Sequence, residues 1–315
     1  MKLRYLFLIM LLIPAISHAQ RWKRMRYEVV YAAGATNFLG ELGGRNAIGT
    51  NFFNDLEVAS TRYVLNIGMR YKLSQYISIK AGLSYARVAG DDKQSQEPYR
   101  NNRNLHFRSP IVEFATQVEA SWMREQTGSR YKIRRVRGRG KKGSQIYVYG
   151  FVGIGVFYMN PSAKYNGQWH SLQPLNTEGQ DSDALPGRTS YSRFQLAVPA
   201  GIGFKYALDK KSSIGLEYGI RKTFTDYIDD VSTTYVASQW RQNYQEDVFG
   251  MSETAAALSD PSLNIYPEGL EGFDGACQSC PGQQRGDPTD YDAYMFLLIT
   301  YNRKIRTTRR GLPKF

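Results

Sequence analysis

Beyond its first twenty residues the sequence has no apolar run long enough to cross a bilayer as a helix, and its mean hydropathy is −0.47. A spanning helix needs about 20 such residues, so a helical membrane protein is excluded for that stretch. Cysteine is scarce, with two in the chain. Cys277-Gln-Ser-Cys280 is a lone CxxC, and a Cys-only structural zinc site requires a second pair. No strand-then-helix context supports a thioredoxin-like redox site either. What remains in an exported chain is a local disulfide between Cys277 and Cys280, stiffening a loop. Histidine is scarcer than a metal or nucleophile site would want: there are three, and His18 leaves with the leader. His106 and His170 fall near loops, without a partner at a ligand or triad spacing. Neither Gly153-x-Gly155 nor Gly201-x-Gly203 continues into a GxxxxGK or GxGxxG phosphate loop; they read as strand glycines relieving crowding in a narrow barrel. These absences predict no catalytic residue, no metal, no cofactor and no small-molecule substrate.

A basic start (Lys2, Arg4), an apolar run from Leu6 to Ile13 and the small-residue site Ser17-His18-Ala19 form a signal peptide over residues 1–19. The remainder, 20–315, reads as one domain. It is rich in aromatics (13%) and glycine, and its apolar residues recur at period two. Alternation is clean in Tyr63–Tyr71, Ile77–Tyr85, Val112–Trp122, Phe194–Tyr206 and Ile214–Ile220. It is weaker in 27–37, 145–159 and 291–305, whose faces the pattern leaves open. Eight strands result, and a period of two puts each apolar set on one face.

A soluble sandwich also hides one face, so the other face decides. It carries charges midway along the strands: Glu28, Glu113, Glu119 and Glu217 against Arg70, Lys80, Lys205 and Arg221. Aromatics cluster near both ends of the apolar faces, as interfacial girdles do. The expected fold class is all-β, an eight-stranded antiparallel transmembrane β-barrel of an outer membrane. Its polar lumen is filled by ion pairs, because eight strands leave room for little but side chains. Pro199 lacks the N–H a barrel ladder needs, which predicts a bulge or kink with the ring facing inward.

Turns at Ser74-Gln75 and Asp209-Lys210-Lys211 are tight. Connections near 38–61, 89–105, 160–189 and 225–290 are long. In such barrels tight turns face the periplasm, which puts both termini there. One connection breaks the rule: 124–143 is a twenty-residue turn on the short side, with nine bases against Glu125. Within it Arg130, Lys132, Arg134, Arg135, Arg137, Arg139, Lys141 and Lys142 are the candidate partner-binding residues. Loop 225–290 is the opposite, with twelve acids against Arg241 and Arg285. A net charge of +13 is thus the sum of a basic end and an acidic end, a separation that points to an acidic partner beneath the membrane. The composition of that turn suits nucleic acid, but export argues against such a partner. In the acidic loop a helical turn is expected over Glu253–Leu258. Asp226, Asp229 and Asp230 match no EF-hand spacing.

Several stretches resemble the PorG family of outer-membrane barrels. YEVVYAAGATNFLGELGG from Tyr27 is similar to its first strand and loop, and RYKLSQYISIKAGLSYARVAGDD (Arg70 to Asp92) to its second hairpin. YVYGFVGIGVFYMNP with GQWHSLQPLNTEGQ (Tyr147 to Gln180) looks like its fifth strand and following loop. VPAGIGFKY (Val198 to Tyr206) and YDAYMFLLITY (Tyr291 to Tyr301) are similar to its sixth and last strands. The loop pieces NFLGELGG and LQPLNTEGQ are the more specific, since no strand pattern demands them. The resemblance implies a structural component of the type IX protein secretion system of Bacteroidetes, serving gliding motility or protease secretion. It also implies a periplasmic ring lipoprotein and its associated subunit as partners, with outer-membrane lipid around the barrel. A general surface barrel for adhesion or envelope integrity is the alternative, and a lipid-modifying enzyme a weaker one.

Overall fold

The computed structural model describes residues 25–42, 60–95, 97–122, 146–183, 185–209, 211–236, 251–263 and 279–305. Its strands are β1 (Tyr27–Leu39), β2 (Arg62–Lys72), β3 (Ile77–Asp91), β4 (His106–Ser121), β5 (Ile146–Met159), β6 (Ser162–Tyr165), β7 (Gln168–Ser171), β8 (Phe194–Ala207), β9 (Ser212–Thr223) and β10 (Ala293–Ile305). Two short helices, α1 (Pro98–Arg103) and α2 (Glu253–Ser259), cap the long connections. The helical turn expected at Glu253 is α2, started by Ser252, whose hydroxyl accepts from Ala255 N at 3.2 Å.

Each barrel strand pairs antiparallel with two neighbours, in the order β3-β2-β1-β10-β9-β8-β5-β4, and a β3–β4 ladder closes the ring. Eight strands form the closed barrel, and β6–β7 is a hairpin hung on β4 through Arg108↔Ser162. Alternation does not reveal this hairpin, because four-residue strands carry too little of it to register. Alternation also ends β3 near Tyr85 and begins β4 near Val112. Both strands run further toward the long connections, where Arg87↔Pro110 to Asp91↔His106 extend the wall.

Burial is inside out. Arg70 is 0% exposed while Ile299 is 68% and Ile154 72%. Leu65, Ile67, Leu83, Phe114, Val152, Leu196 and Leu216 continue the exposed apolar band around the ring. In water such a surface would aggregate; in hydrocarbon it is the favourable one, and the closed ladder leaves no unpaired edge. Among the described residues no helix is long and apolar enough to cross a membrane.

Pro199 is buried, facing the lumen as its parity requires. The expected bulge is absent. Val152↔Ala200 and Gly155↔Ala197 keep one register, and pairing simply lapses between them on the β5 side. On the β9 side Val198↔Lys222, Pro199↔Arg221 and Ala200↔Ile220 continue unbroken. The ladder omits the bonds Pro199 has no N–H to make, with no inserted residue.

Gly203 stands opposite Tyr149 in the ladder, and a Cβ built on it would lie 2.2 Å from the Tyr149 ring. That missing side chain is what lets the phenol lie across the lumen. Gly203→Val is expected to destabilise the barrel by ~1–3 kcal/mol through overpacking, read by urea unfolding in detergent. A loss below about 0.5 kcal/mol would mean the ring swings aside freely.

Candidate functional site

Strand ladders place inward side chains at defined heights, and the heights differ in chemistry. In the tight-turn half, Arg70 on β2 donates through Nη1 to Glu28 Oε2 on β1 at 2.8 Å and to Asn302 Oδ1 on β10 at 2.9 Å. Its Nε donates to Glu119 Oε2 on β4 at 2.5 Å. Lys205 on β8 reaches Glu28 Oε2 at 3.2 Å. Lys80 on β3 donates to both oxygens of Glu217 on β9 at 2.8 Å, and the Tyr149 hydroxyl donates to Glu217 Oε2 at 2.9 Å. These bonds join opposite walls, so the polar lumen is filled, as eight strands require.

The expected balance of four acids and four bases needs one correction. Lys72 and Lys304 are also buried, making six bases to four acids on the described strands, with the surplus toward the tight-turn mouth. Both stand at strand ends, where the alternation is too short to assign a face.

The long-loop half is apolar. Phe38, Phe107, Phe157, Tyr294, Phe296 and Leu298 are buried in one cluster that plugs the lumen. Arg221 lies 4.0 Å over the Phe296 ring, and the Tyr294 hydroxyl donates to Glu113 at 2.6 Å.

Above the plug, all four long connections interlock. Arg285 Nη1 donates to Glu178 Oε1 at 2.8 Å and to the Asp230 carbonyl at 2.5 Å, and its Nε to the Ser259 carbonyl at 3.1 Å. Glu178 also accepts from Ser232 N and Thr233 N at 2.9 and 3.2 Å. Asp230 accepts from the Tyr191 hydroxyl at 2.6 Å and from Thr177. Burial raises its pKa to about 6 against the pull of Arg285. Asp92 holds Arg103 at 2.7 and 3.0 Å, and Arg103 donates onward to the carbonyls of Glu41 and Arg285 at 3.1 and 3.0 Å.

Beside this hub lies an acidic cluster. One carboxylate oxygen from each of Glu41, Asp229 and Asp292 lies within 4.8 Å of the others. Burial raises Glu41 to about 7 and Asp226 to about 8; Glu41 adds to the rise at Asp226. Asp229 and Asp292 are raised well above the carboxylate range by burial and then by these neighbours. Of this set, only Asp226 and Asp229 stand close together in sequence. Glu41 and Asp292 come from the ends of β1 and β10, and spacing within one loop cannot reveal them.

The eight candidate partner-binding bases, Arg130 to Lys142, and Cys277 lie outside the described residues. The ends of that turn, Ser121 and Ile146, stand at the tight-turn rim, where Ser121 N donates to the Tyr76 carbonyl at 2.9 Å. Cys280 is disulfide-bonded. His106 Nε2 accepts from Lys164 N at 3.0 Å, and His170 packs edge-on against Tyr165. The two histidines thus anchor the β6–β7 hairpin.

No curated protein sequence matches the chain. Solved structures with a similar fold include Neisserial surface protein A, at 8% identity over 88% of this chain and 96% of that one, with a TM-score of 0.35. Ail, the attachment invasion locus protein of Yersinia pestis, is 10% identical over 88% and 99%, with a TM-score of 0.33. OprG from Pseudomonas aeruginosa is 8% identical over 90% and 98%, with a TM-score of 0.34. The family model for the outer membrane protein beta-barrel domain matches residues 6–241, and the chain, an outer-membrane barrel of eight strands, belongs to that family.

Proposed function

We propose that the chain is a structural, non-catalytic component of the type IX protein secretion machinery. It ties a periplasmic ring, a lipoprotein with its associated subunit, to the outer membrane. The PorG-like sequence stretches support this reading, and so does the closed lumen, which leaves a surface role rather than a passage. The observation that carries the docking face is the division of charge between the two rims. The turn that begins after Ser121 holds nine bases, the 225–290 loop twelve acids. With tight turns toward the periplasm, the basic rim, both strand termini (Tyr27↔Ile305) and the lysine surplus of the lumen face the ring. Lipid phosphates are the proposed contact at the other rim, where Arg62, Arg87 and Arg108 line one cavity beside the Tyr63–Tyr85 girdle pair.

Replacing Arg130, Lys132, Arg134, Arg135, Arg137, Arg139, Lys141 and Lys142 with Ser or Gln tests the docking face. Recovery of ring proteins in a mild-detergent pull-down is expected to fall on the order of 10-fold or more, while the barrel still folds. Unchanged recovery rejects the face. A solitary barrel, under conditions that keep the ring intact, favours the general surface-barrel reading instead.

A further inference from the structure

We propose that Glu41, Asp229 and Asp292 form a divalent-cation site, best suited to calcium, that locks the long loops onto the barrel mouth. The site is assembled by topology. β1, β10 and β9 are adjacent staves, and the three acids, with Asp226 as a neighbour, stand just beyond their ends at one rim. Two of the carboxylates are nearly or fully out of water, Asp292 at 0% and Asp229 at 1% exposure, and the neighbouring Asp226 is 4% exposed.

The hydrogen bonds aim the carboxylates without using them up. Asp292 Oδ2 accepts from Ile228 N at 2.9 Å, and its Oδ1 has no partner. Glu41 Oε1 accepts from Asp287 N at 2.9 Å, and its Oε2 has none. Asp229 is held on both oxygens, by Val231 N at 3.1 Å and Leu42 N at 3.2 Å, and each keeps a second lone pair. Neither oxygen of buried Asp226 has a well-formed hydrogen bond, and nearby Ser232 offsets only a fraction of its raised pKa. Buried carboxylate oxygens are expensive to leave bare, so Asp292 Oδ1 and Glu41 Oε2 within the group, with Asp226 as a bare acid beside it, call for a counter-charge. Arg103, whose field reaches the cluster, is already committed to Asp92 and to two carbonyls.

Donor chemistry and spacing name the ion class. Every donor is a hard oxygen, which suits calcium or magnesium rather than a transition metal. Oxygens bound to calcium at about 2.4 Å lie at most about 4.8 Å apart, a limit that the Glu41, Asp229 and Asp292 oxygens meet. Magnesium keeps several waters and demands an octahedron, whereas this set offers direct, buried carboxylates. Gly40 protects the geometry, since a Cβ there would stand 2.1 Å from Asp292 Oδ1. The site stands whether or not the secretion role does.

The test is calcium titration of the full-length, chelator-stripped barrel in detergent, by calorimetry and by protease sensitivity of the loops. One calcium per chain is expected, with loop cleavage slowed on binding. Magnesium at equal concentration is expected not to substitute. Asp292→Asn and Glu41→Gln are each expected to weaken binding on the order of 10-fold or more. The exposed acid Asp290, changed to Asn, is the control that leaves it unchanged. Absence of stoichiometric binding to the wild-type chain overturns the proposal and leaves the cluster neutralised by protons. Binding that persists undiminished in both variants overturns it too, because the ion is then adventitious. If a variant fails to fold by heat-modifiable mobility, the wild-type titration against magnesium decides alone.

Discussion

Arg70→Ala is expected to cost the barrel ~3–5 kcal/mol, enough to remove most of the heat-modifiable folded species in detergent. Arg70 is fully buried and bonds Glu28, Glu119 and Asn302, side chains from three other strands. Deleting it takes the bonded guanidinium from both Glu119 and Glu28 and leaves them only lysine ammonium groups, of which Lys205 stands 3.2 Å from Glu28. The cost is mainly that of stranded buried charge, not of a lost attraction, so removing the charges together should return most of the stability. The triple variant Arg70→Met, Glu28→Gln, Glu119→Gln is therefore predicted to be more stable than Arg70→Ala alone. Urea unfolding in detergent measures both. A loss under about 1 kcal/mol for the single variant would show that water reaches this height of the lumen and solvates the carboxylates.

Arg285→Met should act on the other end and spare the barrel. Arg285 joins Glu178 to the carbonyls of Asp230 and Ser259, and it is the cation bonded to the buried Glu178 carboxylate. Without it the loop cap loses ~3–5 kcal/mol, and proteolysis that samples the open cap should accelerate on the order of 100-fold or more. Heat-modifiable mobility should not change, because the aromatic plug and the lumen ion pairs lie below the hub. Adding Glu178→Gln removes the stranded charge and is predicted to slow cleavage again. Equal cleavage of wild type and Arg285→Met would dissociate the hub from loop order; a melted barrel would show that cap and barrel fold as one unit.

The strands with clean alternation were legible because one face meets hydrocarbon and the other meets charge, as in β2 and β9. The faces of β5 and β10 were not, because their inward residues are aromatic as well. Tyr147, Tyr149, Phe151 and Phe157 on β5, and Tyr294 and Phe296 on β10, are buried inside the ring. Where the lumen is plugged by rings instead of ion pairs, both faces are apolar and period two vanishes. The charge division between the rims was legible from counts alone. The cap was not: Glu41, Glu178 and the pair Arg285 and Asp292 come from three separate connections, and only strand order brings them together.

The seam where the first and last of the described strands meet has a mechanical consequence. All thirteen residues of β1 pair with all thirteen of β10, from Tyr27↔Ile305 to Leu39↔Ala293. The β2–β3 ladder is shorter, running from Val64↔Ala86 to Lys72↔Ser78. A barrel that hands cargo sideways into the bilayer must separate a pair of staves, and the natural place is a short terminal seam. Here that seam is among the longest, and Arg70 crosses it from inside by bonding Glu28 on one side and Asn302 on the other. Parting the wall at its closure would therefore break thirteen paired residues and the Arg70 bridge together, the opposite of a lateral gate's weak seam.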